Sequence, residues 1–159
     1  MHGLTGAALA APIGDPPPAD TLRAKLRAAD RAYQANDYAT ALTGIPLLLL
    51  DVRAAVELSD SDDEAAAYAL LARTLHLTGN LLIQLHAGDL AQTALMDALT
   101  AARRSGNQVV AATVIQGLCW LLMRQGRLAE AAQLGASTAD QVEPAFPRHP
   151  GELAAWGGC

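Results

Sequence analysis

The sequence predicts an all-α fold, a helical-repeat array of about three antiparallel helix pairs. Three observations carry this. Hydrophobic residues make up 52% of the 159 residues and aromatics only 4%, and Ala and Leu supply most of the apolar total. Both are strong helix formers, and such a core closes by near approach of helices rather than by large rings. Apolar positions recur at helical spacing along most of the chain. Finally, two stretches share a phrase, HAGDLAQTALMDAL from His86 to Leu99 and RQGRLAEAAQLGAS from Arg124 to Ser137. In each, a glycine breaks a long apolar helix and a Leu-Ala pair opens a shorter, alanine-rich one.

Residues 1–19 are expected to be a flexible tail, because Gly14-Asp15-Pro16-Pro17-Pro18 cannot continue a helix and favours extended geometry. Residues 20–143 should hold the helical domain. The first helix is predicted over Asp20–Ala35, capped by Asp20 or Thr21, with Leu22, Leu26, Ala29, Ala32 and Tyr33 inward and Arg23, Lys25, Arg27 and Arg31 on the other side. The second starts at Tyr38. Pro46 lies inside it and predicts a kink or short break, because proline removes a backbone donor and clashes with the preceding turn. Beyond Pro46, Leu47–Leu58 continues as an apolar helix. Ser59–Asp63 (SDSDD) is a turn whose acids complement the next helix dipole; it lacks the ligand spacing of a calcium loop.

The third helix, Glu64–Leu85, is apolar nearly all round and should be buried on several sides. The fourth, Asp89–Ser105, presents Ala91, Ala94, Leu95, Ala98 and Ala102 on one face, and Gly106 closes it. A fifth, Gln108–Gln125, and a sixth, Leu128–Val142, repeat the arrangement. Residues 144–159 are a proline-rich loop followed by the start of a further, truncated helix. The last packed face, including Ala131, Ala139 and Trp156, is expected to be apolar, uncapped and prone to self-association into a dimer.

Composition also narrows function. A net charge of −5 and a pI near 5.2 argue against direct nucleic-acid contact and against a polybasic membrane anchor. No unbroken apolar run reaches the ~18 residues of a membrane span, and the opening GLTGAALAAPIG lacks the basic start of a signal peptide. The two thiols, Cys119 and Cys159, form neither a disulfide framework nor a zinc site, so a reducing, cytoplasmic setting is expected. The histidines His2, His76, His86 and His149 are spread too widely to share a metal ion. No G-x-S-x-G elbow or phosphate-cradling glycine loop is present. The expectation is therefore a non-enzymatic protein without metal or cofactor. Arg103 and Arg104, in a last helical turn, are assigned to the helix dipole, and Cys119 to the core.

The polar residues of the apolar helices are the candidates for a binding site. Arg73, His76, Asn80 and Gln84 are spaced three, four and four, and so form one stripe. Thr113, Gln116, Trp120 and Arg124 form a second stripe with the same spacing. If the first helices of successive pairs line a concave groove, the two stripes face each other across it. Arginine there suits carboxylate or phosphate, Asn and Gln suit peptide amides, and Trp offers a stacking plane.

The turn phrases NDYATAL, GDLAQTAL and GRLAEAAQL resemble the inter-helix turn of a tetratricopeptide repeat. Aligned on Asn36, Gly88 and Gly126 they lie 52 and 38 residues apart, against ~34 for the consensus, and Thr93 falls where alanine is expected. The succession LTGAALAAP, DPPPAD, LLARTLHLTGNLLIQLHAGDLAQTALMDALTAARRSG and RQGRLAEAAQL resembles the C-terminal part of actinobacterial helix-turn-helix regulators of the Xre type. Nothing before Leu22 could form the DNA-binding domain of such a regulator. The resemblance thus implies a tetratricopeptide-like sensor domain that takes a peptide, protein or small signal molecule, or else a homodimerisation module without ligand.

Overall fold

The computed structural model describes residues 14–142, which hold six helices and no strand. They are α1 (Ala19–Gln34), α2 (Tyr38–Leu58), α3 (Glu64–Gln84), α4 (Gly88–Ser105), α5 (Gln108–Arg124) and α6 (Leu128–Val142). The all-α array of antiparallel helix pairs expected from the sequence is thus what the chain forms. Expectations for the N-terminal stretch before Gly14, for the loop with His149 and for Trp156 and Cys159 lie outside the described residues.

Each helix packs on the next in the chain, and α3 is the centre, touching α1, α2, α4 and α5. That is why its apolar residues run nearly all round: Leu70, Leu75, Leu77, Leu81 and Ile83 are buried in three different clusters. Among the described residues, α1 packs on α3 and α3 on α5, whereas α2 does not reach α4 and α4 does not reach α6. The odd-numbered helices are therefore the closely set side of the array and the even-numbered helices the splayed side.

Small residues allow the central approach. A Cβ built on Gly79 would lie 2.6 Å from Leu95 Cγ, and Leu95 itself is fully buried. The same leucine reaches α5, where a Cβ on Gly117 would meet its Cδ2 at 3.1 Å. Charged contacts close the periphery. Arg104, in the last turn of α4, lies 4.3 Å over the Tyr68 ring and 3.4 Å from Glu64 on α3, and Lys25 reaches Asp51 at 3.3 Å. Arg104 thus ties two helix ends together besides offsetting a dipole.

The turns within pairs share one geometry. Asn36, His86 and Gly126 all have positive φ, at 59°, 59° and 76°. In each case the residue after it donates its N–H to a carbonyl five residues back (Asp37 to Ala32, Ala87 to Leu82, Arg127 to Leu122), a Schellman closure. His86, rather than Gly88, is hence the turn residue of the second pair, and Gly88 is the first residue of α4. This corrects the spacing: Ala41, Ala91 and Ala131 stand at equivalent positions five residues on, and all three are buried. Thr93 is exposed and occupies no alanine position. Ala131 faces α5, where Cys119 Sγ contacts its carbonyl at 3.6 Å, and so does not belong to the outer face expected of α6; Ala139 is exposed.

Three other expectations change. Pro46 does not interrupt α2, which runs unbroken from Tyr38 to Leu58. Its neighbours Ile45 and Leu48 are buried on either side of it, so packing against α1 and α3 outweighs the local loss of a hydrogen bond. The first helix begins at Ala19 after Pro18 without a side-chain cap, and Asp20 pairs instead with Arg23 at 2.8 Å. α2 is also long and apolar enough, by length and composition, to cross a membrane, although polar residues interrupt its apolar run. In this structure it lies between α1 and α3.

Gly79→Ala is expected to cost about 1–3 kcal/mol, because its Cβ would overlap the fully buried Leu95 and force that side chain to shift. His86→Gly is expected to raise stability by up to about 1 kcal/mol, since glycine adopts the left-handed turn without Cβ strain; a thermal melt of the two variants against the parent checks both.

Candidate functional site

A cleft of about 370 Å³ opens on the closely set side of the array, lined only by α1, α3 and α5. Its floor is aliphatic, built from Leu26, Leu77, Val110 and Val114. Its polar groups are Arg27, Asp30, Tyr33 and Gln34 from α1, Arg73, His76 and Asn80 from α3, and Thr113 from α5. The helical period explains the convergence. Arg27, Asp30 and Gln34 are spaced three and four, as are Arg73, His76 and Asn80, so each set lies along one face of its helix.

Of the eight residues expected to form a groove, this cleft brings together Arg73, His76, Asn80 and Thr113. Gln84, at the last turn of α3, is half-buried and not part of its lining, and Gln116 is exposed outside it. Trp120 is half-buried and packs against the main hydrophobic cluster. Arg124 lies in a separate, more open depression with Ile83, His86, Gly88, Met123 and Gln125 at the turn end of the molecule. Val109 is 69% exposed and forms part of the cleft rim. The α1 residues are not among the stripes that stand out in the sequence. The signal was present: α1 is the first helix of a pair like α3 and α5, and its polar residues have the same three-four spacing.

The charges in the cleft are uneven. Arg27 and Arg73 are exposed and make no ion pair among the described residues, whereas Arg23, Lys25, Arg104 and Arg127 each have a carboxylate partner. Asp30 is the one acid in the lining.

His76 and Asn80 form a coupled unit. Asn80 Nδ2 lies 3.3 Å from His76 Nε2, one helical turn apart. The His76 ring rests against α5 where Gly117 leaves room for it; a Cβ there would stand 3.0 Å from ring atoms. Burial pushes the His76 pKa below its ordinary value, and the charge of Asp30 only partly opposes this. A neutral imidazole with a bare Nε2 accepts from the Asn80 amide. Asn80 Oδ1 is then buried with no hydrogen-bond partner among the described residues. Such an acceptor is normally satisfied, so the unit carries a cost that the fold bears elsewhere.

The sign of the pH effect follows. His76 prefers the neutral form in the folded chain, so its contribution is fully present above the unfolded pKa near 6.5 and is lost as pH falls through that value. Stability is expected to drop on acidification from neutral pH to pH ~5, and less so in His76→Gln; chemical denaturation at each pH measures the difference. Comparison with family models, with curated proteins and with solved structures returned no match to this chain.

Proposed function

We propose that this chain is a non-enzymatic binding domain whose cleft takes a peptide, a protein segment or a small signal molecule. One observation carries this: three helices distant in sequence converge on a single aliphatic-floored cleft whose two rim arginines have no internal partner among the described residues. Exposed arginines on a folded surface are ordinary. Two of them bordering one concave, apolar site, beside asparagine, glutamine and threonine side chains, are what ligand recognition requires. The resemblance of the turn phrases and their order to the regulatory half of helix-turn-helix proteins supports a further step. On it, the domain is the tetratricopeptide-like sensor part of a bacterial transcription regulator, working in the cytoplasm, and the cleft is where its signal is received.

Native mass spectrometry of the protein as purified tests the proposal. The expected result is a ligand-sized mass increment that Thr113→Trp removes, because Thr113 is exposed on the cleft wall and an indole there fills the space without disturbing the core. A dimer with no increment, dissociated by the same substitution, would instead make the cleft a homodimerisation surface.

A further inference from the structure

We propose that the cleft recognises an aliphatic monocarboxylate: Arg27 and Arg73 share the carboxylate, and the hydrocarbon body lies on Leu26, Leu77, Val110 and Val114. This rests on the cleft being a ligand site and names the chemistry of what it holds. The charge distribution selects the anion. The chain carries a net charge of −5, yet this cleft has two cationic side chains and one acid. Arg31, Arg53, Arg103 and Arg124 also lack an ion-pair partner among the described residues, but none of them lines this cleft. Guanidinium groups bind carboxylates through paired N–H donors.

The remaining groups set the number of charges and the size. His76 is neutral at physiological pH and adds no positive charge. Asp30, facing the cleft from α1, repels a second negative charge, so a dianion such as a phosphate monoester is disfavoured relative to a carboxylate. The floor offers no aromatic ring apart from Tyr33, and its valines and leucines suit a straight or branched alkyl body rather than a stacked base. The volume, about 370 Å³, lies at the small end of the usual range for ligand sites, ~300–1,000 Å³. It holds a medium-chain acid or the last residues of an apolar peptide. Both share the same chemistry, a carboxylate on an aliphatic body.

NMR titration of the isotope-labelled chain separates these outcomes. The probes are octanoate, octanamide and N-acetyl-leucyl-leucine, and the signals followed are the amides of Asn80 and Thr113. Octanoate or the dipeptide acid should shift both signals saturably, with a dissociation constant in the millimolar range for so small a ligand. The tighter of the two tells a free acid from a peptide end. Octanamide should bind about tenfold more weakly, and the Arg27→Ala/Arg73→Ala double variant should lose octanoate by a similar factor. Both arginines are exposed, so the double variant keeps the fold, which circular dichroism verifies. Octanamide binding as tightly as octanoate, or an unchanged affinity in the double variant, overturns the carboxylate assignment. Absence of any shift with all three probes overturns it too. In each of these cases a mass increment that Thr113→Trp removes would leave the cleft standing as a ligand site of other chemistry.

Discussion

The contact of Leu95 with two glycines, Gly79 on α3 and Gly117 on α5, is the constraint on which the rest of the array depends. Leu95 is fully buried, and each glycine yields the space a side chain would otherwise fill. α4 can therefore press on α3 and at the same time touch the base of α5. A core of alanine and leucine has few large groups with which to fill gaps, so its packing energy comes from the separation between helices, not from the size of single side chains. The distances of 2.6 Å and 3.1 Å to a built Cβ show how little slack remains at the centre.

The same spacing creates the cleft. Gly117 admits both Leu95 and the His76 ring, so α5 sits close enough to α3 for Val110, Val114 and Thr113 to face Arg73 and Asn80. His76 is held neutral by that burial and orients Asn80, whose carbonyl oxygen is left without a partner. Polar groups fixed in this way, at some cost in stability, would already be in place for the ligand proposed above, so less conformational freedom would have to be lost on binding it. The site is thus a consequence of how tightly the neighbouring core is drawn together, and the binding chemistry proposed for it uses side chains on three helices that no local stretch of sequence connects.

Much of this was legible in the sequence, for definable reasons. Helical periodicity is a strong signal, and α6 follows the predicted Leu128–Val142 to the residue. The stripe Arg73, His76 and Asn80 was visible because polar residues stand out on an otherwise apolar helix. The corresponding stripe Arg27, Asp30 and Gln34 was not, because α1 is polar over much of its surface and its cleft-facing residues resemble solvated ones. The second turn lies two residues from where the sequence points, for a conformational reason. Glycine is the usual occupant of a left-handed turn, which points to Gly88, but His86 takes that geometry and Gly88 opens a helix. Pro46 shows the converse: local chemistry predicts a break, and tertiary burial of Ile45 and Leu48 carries the helix through. Gln84, Gln116, Trp120 and Arg124 share a spacing with the cleft residues but not its location, since a stripe drawn along a straight helix does not say where a neighbouring helix diverges from it.

The splayed even-numbered side has a mechanical consequence. Because α2 and α4 do not touch, nor α4 and α6, curvature of the array is resisted mainly where the odd-numbered helices meet. α1 and α5 both border the cleft yet contact each other only through α3. The array is thus held together along one edge, where α3 meets both α1 and α5, while the opposite edge leaves α2 with Leu47, Leu50 and Leu58 exposed.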